Sequence, residues 1–204
     1  MLFILLFKEQ NMKTINYYNK NAQKFYDNTI NTDIRDIYKK FLKYLPKKSH
    51  ILDVGCGVGR DIKYFLSEGY IVSGLDASFE MVKLATQETG VNVMHSTFQD
   101  LNFDKKFDAV WAQASLLYVP YDLTQEIYQK IHNALKPRGI FYASYRHGDS
   151  YMATSERDFY NMNEEIIIPY FSNLFEIIEL WQNVDNRVTK SPSGMWLNFI
   201  VRKI

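Results

Sequence analysis

The stretch Asp53-Val54-Gly55-Cys56-Gly57-Val58-Gly59-Arg60-Asp61 decides how this chain is read. It follows the apolar pair Ile51-Leu52 and precedes a segment of helical periodicity over residues 60–68, which Gly69 closes. Strand, glycine turn and helix in that order make a corner where a ligand can sit. Glycines let the backbone turn sharply and let the ligand approach it closely. A glycine turn can also be only a turn, so its surroundings matter. A second strand over 70–75 leads into Asp76, about 20 residues beyond Asp53, where a carboxylate accepts hydrogen bonds from ribose hydroxyls in nucleotide-binding folds.

Outward from that corner the pattern alternates. Short apolar strands are expected at 51–54, 70–75, 91–94, 107–112 and 140–145, with helices at 60–68, 78–88 and 123–135 between them, Ser78 serving as a cap. Alternation of this kind implies right-handed crossovers and a mostly parallel sheet. A helix is expected over 162–172, then strands over 175–182 and 195–202 whose join is too short for a helical crossover, so they pair antiparallel. Residues 17–45 read as two helices, with Tyr18, Ala22, Phe25 and Tyr26 on one face, ending before Pro46. The fold class is α/β: a Rossmann-like, doubly wound sheet of seven strands, five parallel plus a C-terminal antiparallel hairpin, with N-terminal lid helices. One domain is expected, with helices over 12–46, a cofactor-binding core over 47–146 and a substrate-side loop and hairpin over 147–204.

Composition narrows the function. Residues of the AVILMFWYC set make up 47% of the 204, and 24 Lys plus Arg against 23 Asp plus Glu leave a net charge of +1. That gives no general attraction to nucleic acid or anionic membrane. The single cysteine, Cys56, forms no intrachain disulfide and fits a reducing, cytoplasmic setting. Four scattered histidines lack metal-ligand spacing, so no metal is expected. The apolar start, residues 1–7, is too short to span a bilayer. Lys8-Glu9 is encodable by a ribosome-binding sequence set two codons before Met12, so Met12 is the expected start and residues 1–11 a leader or disordered segment.

The glycine spacing is G-x-G-x-G, not the G-x-G-x-x-G that seats a pyrophosphate on a helix N-terminus. Asp53 at the mouth would repel a pyrophosphate but suits the ammonium and sulfonium of S-adenosylmethionine. At this point the chain, from about residue 17 to its end, resembles the class I S-adenosylmethionine-dependent methyltransferases. The resemblance rests on the loop from Asp53 to Gly59, on Asp76, on Phe107-Asp108-Ala109-Val110-Trp111, and on Leu135-Lys136-Pro137-Arg138-Gly139, where the family has L-K-P-G-G. It implies that Asp53, Gly55, Cys56, Gly57 and Arg60 lie at the homocysteine part of the cofactor. Asp76 then holds the ribose, and Ala77 and Ser78 lie beside the adenine. Thr97 stands where the family has an Asp, so Phe98 or Asp100 is the substitute there. Ala112 and Gln113 approach the methionine end. Tyr18 and Tyr26 match aromatic positions on a lid helix, with core packing as the alternative.

Residues 111–120 and 142–148, with Glu156, Arg157, Phe159, Asp185, Arg187, Trp196 and Asn198, are similar to a narrower bacterial subgroup, the tellurite-resistance-like methyltransferases. The substrate side is then expected to hold Tyr118, Arg157, Arg187 and Trp196. Tyr145, Arg146 and His147 are candidates to act on the acceptor, His147 as a base. Packing, solvated charge and a surface imidazole are the competing readings. Arg157 and Arg187 either clamp an anionic acceptor or pair with Asp149 and Asp185. No Asn-Pro-Pro-Tyr-like motif follows the fourth strand, and there is no basic run. The expected partner is therefore a small-molecule acceptor, with neither nucleic acid nor membrane, in a monomer or homodimer. The alternative is a protein that binds S-adenosylmethionine or S-adenosylhomocysteine without turnover. A nicotinamide-dependent oxidoreductase is disfavoured by the glycine spacing.

Overall fold

Runs that are apolar at consecutive positions, not at every second one, belong inside a sheet covered on both faces. The computed structural model, which describes residues 2–184 and 194–204 with side chains from residue 12, places them there. Two N-terminal helices, α1 (Leu2–Thr29) and α2 (Arg35–Leu42), precede β1 (His50–Val54). Then come α3 (Arg60–Ser67), β2 (Ile71–Asp76), α4 (Phe79–Thr89), β3 (Met94–His95) and β4 (Phe107–Ala112). After these follow α5 (Tyr121–Ala134), β5 (Leu135–Arg146), the short strands β6 (Tyr151–Ala153) and β7 (Asp158–Tyr160), and α6 (Glu164–Ile167). The last strands are β8 (Phe175–Val184) and β9 (Met195–Lys203).

The sheet order is β3-β2-β1-β4-β5-β9-β8. The five strands β1 to β5 pair in parallel, and β9 joins β5 and β8 antiparallel. This is the expected seven-stranded arrangement. Strand order reverses at β1, with β2 and β3 on one side and β4 and β5 on the other, so the carboxyl ends of β1 and β4 meet at the switch point where open α/β sheets bind ligands.

Several details depart from the expectation. The third strand is two residues, not the 91–94 read from its valines. Strand β5 starts at Leu135, so Lys136-Pro137-Arg138-Gly139 is its bulged beginning, with a register shift against β4, and not a separate turn. The segment 162–172 is one α-helical turn followed by a 3-10 turn, Ile168–Phe171. The β6–β7 hairpin was not foreseen. Helix α1 is kinked at Asn21, whose φ/ψ of −114/16° is not helical.

Side chains alternate across β5 and separate the two faces. Phe141, Ala143 and Tyr145 join the layer with Ile127, Tyr128 and Ile131 of α5. Ile140 and Tyr142 join Tyr38, Phe41, Phe65 and Trp111 under α2 and α3. Among the described residues no helix is long and apolar enough to cross a membrane.

Arg138 holds a left-handed φ of 62°, a region that costs a residue with a Cβ roughly 1–2 kcal/mol. Arg138→Gly should therefore match or exceed the parent in urea unfolding, by up to about 1 kcal/mol after glycine's unfolded-state freedom is deducted. Arg138→Val should lose more than about 1 kcal/mol, because a β-branched side chain fits that region worst.

Candidate functional site

The glycine loop is stitched to the end of β2. The N–H groups of Gly55 and Cys56 both donate to the Leu75 carbonyl, at 2.9 and 3.0 Å. Gly55 has φ 76°, and a Cβ there would lie 2.6 Å from the Cβ of Ser115. Gly57, φ 54°, has open space around it except for the Phe25 ring of α1, 3.5 Å from where a Cβ would be. The loop thus presents bare backbone under a helix that contributes one aromatic edge. Sequence periodicity put Phe25 and Tyr26 on one face, but the residue over the loop is Phe25. Tyr26 turns away, and its hydroxyl donates to Glu88 Oε2 at 2.5 Å, beside Lys63.

Three carboxylates gather around this corner. Asp53 is 1% exposed, and its Oδ2 is buried with no hydrogen-bond partner. Burial, followed by the neighbouring charge of Asp61 and opposed by Arg60, pushes its carboxyl well above the usual range. Asp76 accepts the N–H of Gly57 on Oδ2 (2.9 Å) and of Ser78 on Oδ1 (2.8 Å). Burial still raises its pKa against those two bonds. Each of its oxygens keeps a lone pair for a further donor. The third, Asp61, was given no role by the sequence reading. It accepts from Arg60 Nε (2.5 Å), from Trp111 Nε1 (2.8 Å) and from the Tyr38 hydroxyl. Burial raises its carboxyl, yet Arg60 and these donors bring it below the ordinary value. Arg60 is thus engaged by its neighbour. The Cys56 thiol is driven up by burial and by Asp53 and Asp76, which keeps it protonated and unsuited to nucleophilic attack.

The adenine-side candidates divide. Ser78 caps α4 by accepting from the Met81 N–H (3.3 Å) while its hydroxyl donates to Asn19 Oδ1 of α1 (2.7 Å). It ties the N-terminal helix to the site and is itself buried. The Ala77 carbonyl meets the His95 ring at 3.0 Å. Thr97 donates its hydroxyl to Asp100 (2.6 Å), closing a turn, so these two residues satisfy each other. The Phe98 ring lies 3.3 Å from the position of a Cβ on Gly55, against the loop. At the end of β4, Ala112 is fully buried. Gln113 next to it is met by the Tyr142 hydroxyl, which also lies 2.9 Å from Asn198 Oδ1.

Of the residues expected on the substrate side, the structure brings Tyr118, Arg146 and Arg157 together around Phe159, with Tyr18 against Tyr118 and Arg157. The Tyr18 and Tyr118 hydroxyls hydrogen-bond each other, and Arg157 Nη1 reaches Tyr18 at 3.5 Å. The Arg146 guanidinium lies 3.7 Å over the Phe159 ring. Tyr145 is fully buried in the layer under α5 and bonded to Tyr128 at 3.0 Å, away from this cluster. Trp196 is 6% exposed and packs in the same layer. His147 faces Glu164, at 3.4 Å. Arg187 and Asp185 lie outside the described residues.

Residues 51–139 match the family model described as a methyltransferase domain. The ubiquinone biosynthesis O-methyltransferase of Haemophilus ducreyi is 32% identical over 105 residues, covering 46% of this chain and 44% of that protein. An uncharacterized methyltransferase of Synechocystis is 34% identical over 97 residues, covering 45% of this chain and 44% of that one. The chain spans about half the length of the curated relatives it matches or less. Among solved structures, the 1,6-didemethyltoxoflavin-N1-methyltransferase of Burkholderia thailandensis, with bound 1,6-didemethyltoxoflavin and S-adenosylhomocysteine, superposes with a TM-score of 0.77 at 20% identity, covering 96% of this chain and 89% of that one. An N-methyltransferase of Bradyrhizobium japonicum in complex with S-adenosyl-L-homocysteine gives 0.71 at 15% identity, covering 94% and 98%. These likenesses establish the fold.

Asp61→Ala should cost about 3–5 kcal/mol in urea unfolding, because it leaves the Arg60 charge and two buried donors unpaired. Asp61→Asn, which keeps an acceptor, should cost less.

Proposed function

We propose that this chain, whose residues 51–139 match the methyltransferase-domain model, binds S-adenosylmethionine across the glycine loop and passes its methyl group to a small-molecule acceptor by in-line displacement. The observation that carries this reading is the buried, unpartnered Oδ2 of Asp53 at the start of the loop whose Gly57 leaves its backbone open. A buried carboxylate oxygen without a donor is costly, and an ammonium group beside it would remove that cost. Asp76, with one backbone N–H on each oxygen, has capacity left for two ribose hydroxyls. The donor set therefore fits the cofactor.

The bound cofactor supplies a methyl group already activated by its sulfonium. The protein's part is to align the acceptor and keep water out, which supplies much of the rate in such displacements. Helix α1 serves both ends: Phe25 covers the loop, Asn19 holds Ser78, Tyr18 reaches Tyr118, and Lys13 pairs with Asp158 at 2.8 Å. No proton-removing role is assigned to Tyr145, which the core encloses. The relatives' names divide between oxygen and nitrogen acceptors, so no acceptor atom is carried over. Turnover to S-adenosylhomocysteine with candidate acceptors separates an enzyme from a protein that only binds the cofactor.

Calorimetric titration with S-adenosylmethionine and S-adenosylhomocysteine, beside Asp76→Ala, tests the reading. The variant should lose about 1–3 kcal/mol of binding. A folded wild-type protein that binds neither ligand would end the proposal.

The pH dependence has a definite sign. Asp53 holds the cationic cofactor when ionised, and its pKa is raised. Affinity for S-adenosylmethionine should therefore weaken as pH falls from neutral through that raised value, beginning above the ordinary carboxylate pKa near 4. Asp53→Asn should bind more weakly at neutral pH and show a shallower acid limb, Asp76 accounting for what remains.

A further inference from the structure

We propose that Arg157 anchors a carboxylate of the methyl acceptor, so that the acceptor is a small organic acid. This rests on the methyltransferase reading above and adds the chemical class of the molecule that receives the methyl group.

Among the described residues the guanidinium has no counter-ion. Its carbon lies 4.0 Å from the ring centroid of Tyr17, 5.2 Å from Phe159 and 5.8 Å from Tyr18. Its Nη1 reaches the Tyr18 hydroxyl at 3.5 Å, while Nε is shut off from solvent with no acceptor. The groups that bear on its charge are the phenols of Tyr118, Tyr18 and Tyr17, and no described carboxylate pairs with it. The adjacent carboxylate, Asp158, is taken by Lys13 at 2.8 Å. An arginine serving only to hold the hairpin would be expected to use that neighbour.

The rings ease the burial of this cation through their faces, but they offer nothing to the N–H groups in the guanidinium plane. With Nη1 turned to Tyr18, the edge left is Nε with Nη2, two parallel donors that match the two oxygens of a carboxylate. A single cation with one such edge suits a single negative charge better than a doubly charged phosphate.

The anchor is also rigid and well placed. Arg157 donates its N–H to Thr154 Oγ1 (2.8 Å), and its carbonyl accepts from Thr154 N (2.8 Å) and Oγ1 (2.7 Å), closing the β6–β7 turn. Through Tyr18 it adjoins Tyr118, which follows β4 at the carboxyl edge of the sheet, where ligands of such sheets lie.

Benzoate and benzamide, alike in shape and unlike in charge, test this by calorimetry on the protein saturated with S-adenosylhomocysteine. Inorganic phosphate is the third probe, and thermal unfolding is the folding control. Wild type should take benzoate about tenfold or more better than benzamide, the worth of one charged hydrogen-bonded pair. Arg157→Leu should abolish the difference, and Arg157→Lys should keep part of it. Three results would overturn the proposal: equal binding of the two, binding of neither, or phosphate held more tightly than benzoate. Each leaves the methyltransferase reading standing. Failure to saturate with S-adenosylhomocysteine removes that reading instead.

Discussion

A buried carboxylate at the start of α3 holds the ligand corner together. Asp61 takes hydrogen bonds from Arg60 on its own helix, from Tyr38 on α2 and from Trp111 on β4. Those three donors come from separate parts of the chain, and the glycine loop runs directly into the helix that carries Asp61. Around it Tyr38, Phe65 and Trp111 pack edge and face, and Trp111 stacks on Tyr142 at 4.0 Å. The polar hub fixes orientation where apolar packing alone would leave it adjustable.

Charge at this corner is unevenly matched. Asp53, Asp61 and Asp76 stand near one another with Arg60 as the nearby cation, and that cation belongs to Asp61. Asp61 is kept ionised by its partners, while burial pushes Asp53 and Asp76 toward their neutral forms. A ligand bearing positive charge beside Asp53 and hydroxyl groups beside Asp76 completes the arrangement. The proposed choice of S-adenosylmethionine over a pyrophosphate cofactor is therefore electrostatic as well as a matter of glycine spacing.

Helix α1 gives the site its outer wall by polar contacts at both ends: Lys13 to the β6–β7 hairpin, Asn19 to the cap of α4, and Tyr26 to Glu88. Its inward residues, Phe25 and Tyr18, touch the two halves of the site separately. Phe25 lies over the glycine loop, and Tyr18 sits with Tyr118 and Arg157. One helix thus spans the glycine corner and the Tyr118–Arg157 cluster.

The order of elements, the parallel core with its antiparallel end, the glycine corner and Asp76 were all legible in the residues, because each depends on local periodicity, turn chemistry or short spacing. Other features needed the fold. Phe25 and Tyr26 are neighbours on one helical face, and only the placement of α1 against α4 decides which meets the loop. Tyr145 and Tyr142 both lie on β5, and strand alternation sends one under α5 and the other toward Gln113. Asp61 looked like a helix-start acid, since its importance comes from donors 23 and 50 positions away. The β6–β7 hairpin, three residues per strand, is too short to announce itself by pattern. Sequence alone determined where the glycine corner lies and which carboxylates surround it, because those follow from backbone freedom and residue type. Tertiary structure decided which aromatic rings gather around Arg157, because those contacts join segments that no local spacing relates.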